Sequence, residues 1–262
     1  MQRANLFLHC GACAASREQV KTTQTPARTA TWVPIPHGQL LTGVQACLER
    51  AGLSIVSESH GLTRDGLRYF GLLQVANGDN PDDFGLVVGV RNSHDKSFPA
   101  ALALGASVFV CDNLSFSGEV KLARKHTTYI ERDLPQLVDR AVGLLGGLRR
   151  TQEQRFLAYK SHELTEGRAN DLLIQALDAR VVPVTRLPDV LQEWREPRHP
   201  EFRQGPTAWR LFNAFTEILK GRLEELPRRT QALHGLMDTA CGLAGSISCR
   251  IADTEIPGAI AG

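Results

Sequence analysis

The chain has no run of eighteen or more apolar residues, and its opening, MQRANLFLHCGACAASREQ, lacks the long apolar core of a secretion signal. A membrane-spanning helix is therefore not expected, and the expected location is the cytoplasm. Charge of one sign is also lacking: 30 basic residues face 28 acidic ones, a formal charge of +2. Attraction to a polyanion must then come from a local patch and not from the overall field. There is no glycine-rich phosphate loop, no nucleophile signature, no internal repeat and no low-complexity linker. Cysteine is sparse. Cys10, Cys13, Cys47, Cys111, Cys241 and Cys249 are expected to be free thiols in a reducing compartment. His9-Cys10-Gly11-Ala12-Cys13 supplies only half of a zinc site, and Cys241 and Cys249 are too loosely spaced to complete it. No metal and no cofactor is expected.

What is present is enough apolar material for a sizeable core, 42% of 262 residues. Leu40, Leu41, Val44, Cys47, Leu48 and Ala51 recur at helical spacing after Pro36, with Gly52 as the stop. Strand-like runs follow at Ile55 to Leu62 and Leu67 to Val75, joined by Arg64-Asp65-Gly66, a hairpin signal. Gly85 to Val90, Ala100 to Cys111 and Glu119 to Lys125 extend the pattern to about five strands with short connections, which favours an antiparallel meander. From Asp133, a plausible N-cap, the period becomes helical and runs towards Lys160. Further helices are expected at Glu166 to Ala179, Pro188 to Trp194, Thr207 to Lys220 and Pro227 to Leu243. Strands followed by helices predict an α+β fold: one domain over residues 1–250, β-rich at 53–130 and helical at 133–245, with a flexible tail at 251–262.

Three clusters carry hydrogen-bonding or titratable chemistry. Arg91-Asn92-Ser93-His94-Asp95-Lys96-Ser97 lies between two strands, where side chains on a loop held by a rigid sheet converge on a ligand, although these residue types also build ordinary turns. Asp112-Asn113 closes a strand-like run beside Cys111. Lys121, Arg124, Lys125, His126 and Arg132, with Tyr129 close behind, form the densest basic stretch. Such a stripe holds phosphates while an aromatic ring stacks on a base; the plain alternative is a solvated sheet edge protected by lysine.

Several of these stretches resemble a family of phage- and plasmid-associated proteins known only as a domain of unknown function, the 932 family. The matching pieces are TWVPIPH at Thr31 to His37, RYFGLL at Arg68 to Leu73, VGVRNSHDKS at Val88 to Ser97, VFVCDNLSFSGE at Val108 to Glu119, RKHT at Arg124 to Thr127, and WRLFNAFTE at Trp209 to Glu217. The resemblance implies a setting in mobile genetic elements, with nucleic acid as the leading partner, and no catalytic residues to carry over. In element order alone the chain also resembles the single-strand annealing proteins of phages.

The expected function is accordingly a non-enzymatic nucleic-acid-binding accessory protein, with DNA as its partner. Its candidate contacts are Arg91, Asn92, His94, Lys96, Asn113, Lys121, Arg124, Lys125 and His126. Two alternatives stand beside it. One is a metal-dependent hydrolase or nuclease using His94, Asp95, Asp112 and His126. The other is a module binding a host or phage protein through Trp194, Trp209 and Phe212.

Overall fold

The computed structural model describes residues 12–76, 84–108, 113–220 and 225–243, with residues 107, 108, 113–121 and 227 described in backbone alone. His9, Cys10, Cys111, Asp112 and Cys249 lie outside the described residues. Six strands form one antiparallel sheet in sequence order: β1 (Ala12–Ala15), β2 (Ser54–Thr63), β3 (Arg68–Ala76), β4 (Phe84–Ser93), β5 (Ala100–Val108) and β6 (Asn113–Arg124). Each strand pairs with the next strand in the chain; between β1 and β2 the chain forms α1 (Arg17–Thr22) and α2 (His37–Arg50), and Ala12–Ala15 pair with Thr63–His60. The meander is thus the expected one with an extra strand at the N-terminal edge. Four residues are too few to show a period of two, so β1 and the six-residue α1 leave no readable signal.

After β6 the chain is helical: α3 (Ile130–Ser161), α4 (Glu166–Asp178), α5 (Leu187–Arg195), α6 (Ala208–Leu219) and α7 (Leu226–Ala240). Thr165 and Thr207 cap α4 and α6 by accepting from Arg168 N and Arg210 N. α3 begins three residues before Asp133, with Tyr129 at the cap, so Pro135 sits inside the helix within its first turns. At this sixth helical position a proline cannot donate to Glu131 O, so it costs the helix one bond near its N-terminal end.

Alternation divides the sheet into two faces. Tyr69, Leu73, Val75, Leu86, Val88, Val90, Leu102 and Leu104 point to one side and are buried with Leu41, Val44, Leu137, Ala141 and Phe156 of the helices. The opposite side carries Phe70, Leu72, Gln74, Gly89, Arg91 and Ala103, all half-buried, with Ala123 exposed and Val87 and Ala101 buried among them. Two glycines hold the hairpin geometry at their positions: Gly66 closes the β2–β3 turn at φ +70, and Gly71 leaves room for the Tyr69 hydroxyl that lies across it.

Candidate nucleic-acid interface

Register brings one end of the sheet together. Arg68 pairs with Ser93, Arg91 with Ala101 and Ala100 with Arg124, so the start of β3, the β4–β5 turn and the end of β6 are neighbours. The turn is rigid: Ser93 Oγ donates to Phe98 O at 2.6 Å and accepts from Phe98 N at 3.2 Å, and Asp95 Oδ1 accepts from Ser97 N at 3.0 Å. Arg68 binds the other oxygen of Asp95 at 2.6 Å. Burial alone raises the Asp95 carboxyl, but the bonds from Ser97 and Arg68 together outweigh it and hold the group down at about 2.

Beneath this end lies a buried polar network that ties four segments of chain together. Asn92 is its hub. Its Nδ2 donates to Ile35 O at 2.7 Å and to His37 Nδ1 at 2.9 Å, and its Oδ1 accepts from His126 Nε2 at 2.7 Å. His37 Nε2 donates to Gly66 O at 3.1 Å, and His94 Nε2 donates to Ile35 O at 2.9 Å. The rings of His37 and His94 stack with centroids 3.8 Å apart. These partners place a proton on each Nε2, and His37 is neutral because its Nδ1 accepts from Asn92. Burial, reinforced by His94, lowers His37 and His126 to about 4; burial also lowers His94 itself. Next to this network Tyr69 and His60 bond at 3.0 Å, and His60 Nε2 stands 3.4 Å from Glu58 Oε1, an ion-pair distance without hydrogen-bond geometry.

The sequence candidates therefore part company. Asn92, His94 and His126 come together, but as a scaffold: they are 0%, 4% and 5% exposed, with Asn92 bonded to His126 and both Asn92 and His94 bonded to Ile35 O. They do not present themselves to phosphates. Arg124 faces the helices and is ion-paired to Asp133 at the start of α3, which Arg132 also holds at 2.8 Å. Asn113 stands opposite Val108 at the far end of β6, roughly 30 Å of strand from Arg124. Lys121 takes the position opposite Ala103, two residues from Ala123 opposite Ala101, and Lys125 is exposed just beyond β6. For the hydrolase alternative, Asp95 turns outward to Arg68, and among the described residues no group of three or more His, Cys, Asp or Glu is arranged to hold a metal ion. The proposed protein-binding anchors Trp194, Trp209 and Phe212 are core residues, 4%, 7% and 0% exposed; Trp209 packs tilted or edge-on against Phe156 and Phe202, and Phe212 tilted against Tyr159.

Apart from Tyr129, the clusters missed the aromatic residues. Three cation–aromatic pairs surround the same end of the sheet: Arg91 lies 5.2 Å from the Phe98 ring, Lys96 5.0 Å from Trp32, and Arg132 4.8 Å from Tyr129. Phe70 packs beside Phe98 at 5.5 Å on the open side of the sheet. Tyr129 is 59% exposed, unusual for so large a ring. Described clefts lie elsewhere: one of about 710 Å³ runs along Ser54–Glu58, and another of about 830 Å³ separates Leu164 from Trp194. A second buried polar cluster, also unanticipated, joins α3 to α7, where Asp238 receives Arg155 Nε at 2.9 Å and the Tyr159 hydroxyl at 2.6 Å.

An antiparallel six-stranded sheet backed by a helical C-terminal half makes this an α+β protein. Residues 26–236 match the family described as domain of unknown function (DUF932), and the chain belongs to that family. No curated protein shows a significant match. No solved structure does either. Among the described residues, no helix is long and apolar enough to cross a membrane.

Proposed function

We propose that the protein is a non-enzymatic binder of single-stranded nucleic acid, of the accessory kind that phages, plasmids and integrated elements encode, and that DNA is its partner. One observation carries the reading: the three cation–aromatic pairs at one end of the sheet, next to the small residues Gly89, Ala103 and Ala123 on its open side. Small residues leave the strand backbones approachable, and Phe70 and Phe98 provide ring surface on that side. Every base has a π-face, so stacking tolerates any sequence and is worth about 1–3 kcal/mol per base. Arg91, Lys96 and Lys125 supply charge beside the rings without a deep pocket. A duplex offers no free base faces, so the arrangement favours a single strand.

The test is fluorescence anisotropy with a labelled single-stranded oligonucleotide between about 50 and about 200 mM salt. Binding is expected to weaken with salt at a log–log slope of about −2, as three phosphate contacts on a single strand require. Phe70→Ala with Phe98→Ala is expected to reduce affinity at least about tenfold while leaving the slope unchanged. Absence of binding at the lowest salt, or a double variant that binds like the parent, overturns the reading.

A further inference from the structure

We propose that the corner formed by Trp32, Lys96, Arg124 and Thr127 is a receptor for one phosphate group. Three buried side-chain atoms there lack a hydrogen-bond partner: Nε1 of Trp32, Nε of Arg124 and Oγ1 of Thr127. They belong to one small region. Val33 N donates to His126 O at 3.1 Å, tying the segment that carries Trp32 to the one that carries Arg124 and Thr127, and the Trp32 ring lies 6.4 Å from that of His126. Buried donors are seldom left unmade, because each one costs the full loss of its hydration.

The chemistry of the missing partner follows from the donor types. An indole N–H and a guanidinium N–H only donate, and a hydroxyl does so when an acceptor is offered. Water meeting these groups must also place two protons of its own, whereas a tetrahedral oxyanion accepts from all of them. The charges at the corner agree. Lys96 stands over the Trp32 ring on a backbone held at φ +63, a conformation lysine seldom adopts, and Lys125 is exposed next to Arg124. The carboxylate in contact, Asp133, is held by both Arg124 and Arg132, so it neutralises little of the remaining charge. Arg124 uses Nη2 for Asp133, which fixes the plane of its guanidinium. The proposal deepens the strand-binding reading and rests on it for the source of the phosphate, a strand's backbone or its end.

Isothermal calorimetry with inorganic phosphate tests it, against chloride at matched ionic strength. Phosphate is expected to bind saturably, and Thr127→Val and Lys96→Ala are each expected to weaken it about tenfold, with thermal unfolding of both variants unchanged. Lys96 is exposed, so its variant folds whatever happens at Thr127. Heats identical to those of chloride, or variants that titrate like the parent, overturn the proposal. Oligonucleotides with and without a 5′-phosphate identify the source: about tenfold tighter binding of the phosphorylated form assigns the strand end, and equal binding, weakened by both variants, assigns the backbone. Oligonucleotide binding that persists while phosphate is silent overturns this proposal alone. Phosphate binding without affinity for any oligonucleotide leaves the receptor standing and overturns the strand-binding reading.

Discussion

Asn92→Ala is the substitution that the buried network makes most consequential. Truncation removes three hydrogen bonds at once: from Nδ2 to Ile35 O and to His37 Nδ1, and from His126 Nε2 to Oδ1. Ile35 O keeps His94 Nε2 at 2.9 Å, so it remains satisfied. His126 Nε2 and His37 Nδ1 do not, and both rings are buried. Two buried polar atoms left without partners, at about 1–3 kcal/mol each, predict a loss of about 2–6 kcal/mol. Against a typical total of about 5–15 kcal/mol this is a large fraction. Urea unfolding followed by circular dichroism at neutral pH reads it as a midpoint lowered by roughly 1–2 M at an ordinary slope. Asn92→Asp separates hydrogen bonding from packing: it keeps the acceptor for His126, removes both donors and puts a negative charge among three imidazoles. Their protonation then becomes easier, and stability becomes less sensitive to acid than in the parent. A loss under about 1 kcal/mol in Asn92→Ala, with the acid response of Asn92→Asp unaltered, would refute the hub.

The neutral imidazoles set a pH dependence of their own. His37 and His126 hold their protons off until about 4 in the folded chain, whereas the unfolded chain takes them up near 6.5, so stability is complete above about 6.5, falls between there and 4, and levels off below. Each titrating imidazole contributes a slope of up to about 1.4 kcal/mol per pH unit inside that window, and urea midpoints that stay constant from pH 7 to about 4.5 would contradict it. Gly71→Ala places a methyl onto the Tyr69 hydroxyl and breaks its bond to His60, a loss of about 1–3 kcal/mol, while Gly143→Ala on the exposed side of α3 meets nothing and is neutral or stabilising; thermal melts of the two that move together would defeat this. Asp238→Ala removes the carboxylate that Arg155 and Tyr159 bond in the core and is expected to cost about 3–5 kcal/mol, most of it recovered by pairing Asp238→Leu with Arg155→Met; a double variant no better than the single one counts against burial as the cause.

The meander was legible because the strands are apolar runs, alternating most clearly in β3, punctuated by turn residues. Arg64-Asp65-Gly66 announced the first turn, and the structure places Gly66 at positive φ there. The helices were legible for the same local reason, although α3 starts at Ile130 with Tyr129, and not Asp133, at its cap. β1 was not, since its existence depends on a partner some fifty residues away and not on its own four side chains.

The site was legible in position and misread in role. The stretch from Arg91 to Ser97 does stand at the end of the sheet where functional groups gather, but a polar residue's label does not say whether its partner is solvent, a ligand or another side chain. Asn92 and His126 proved to be partners, and His94 joined them through Ile35 O and the His37 ring, because Ile35 and His37, almost sixty residues earlier, cross beneath β4 and close the network. Position along a strand does hold the missing bit: residue 92 shares a face with Val88 and Val90, which face the core, and residue 91 does not. The same parity puts Phe70 and Arg91 on the open side together, where Phe98 joins them from the turn. Recognition is therefore expected from the odd members of β4 and the even members of β3, and rigidity from their alternates. A variant series along β4 distinguishes the two: substitutions at 91 change affinity with little change in stability, and those at 92 change stability first.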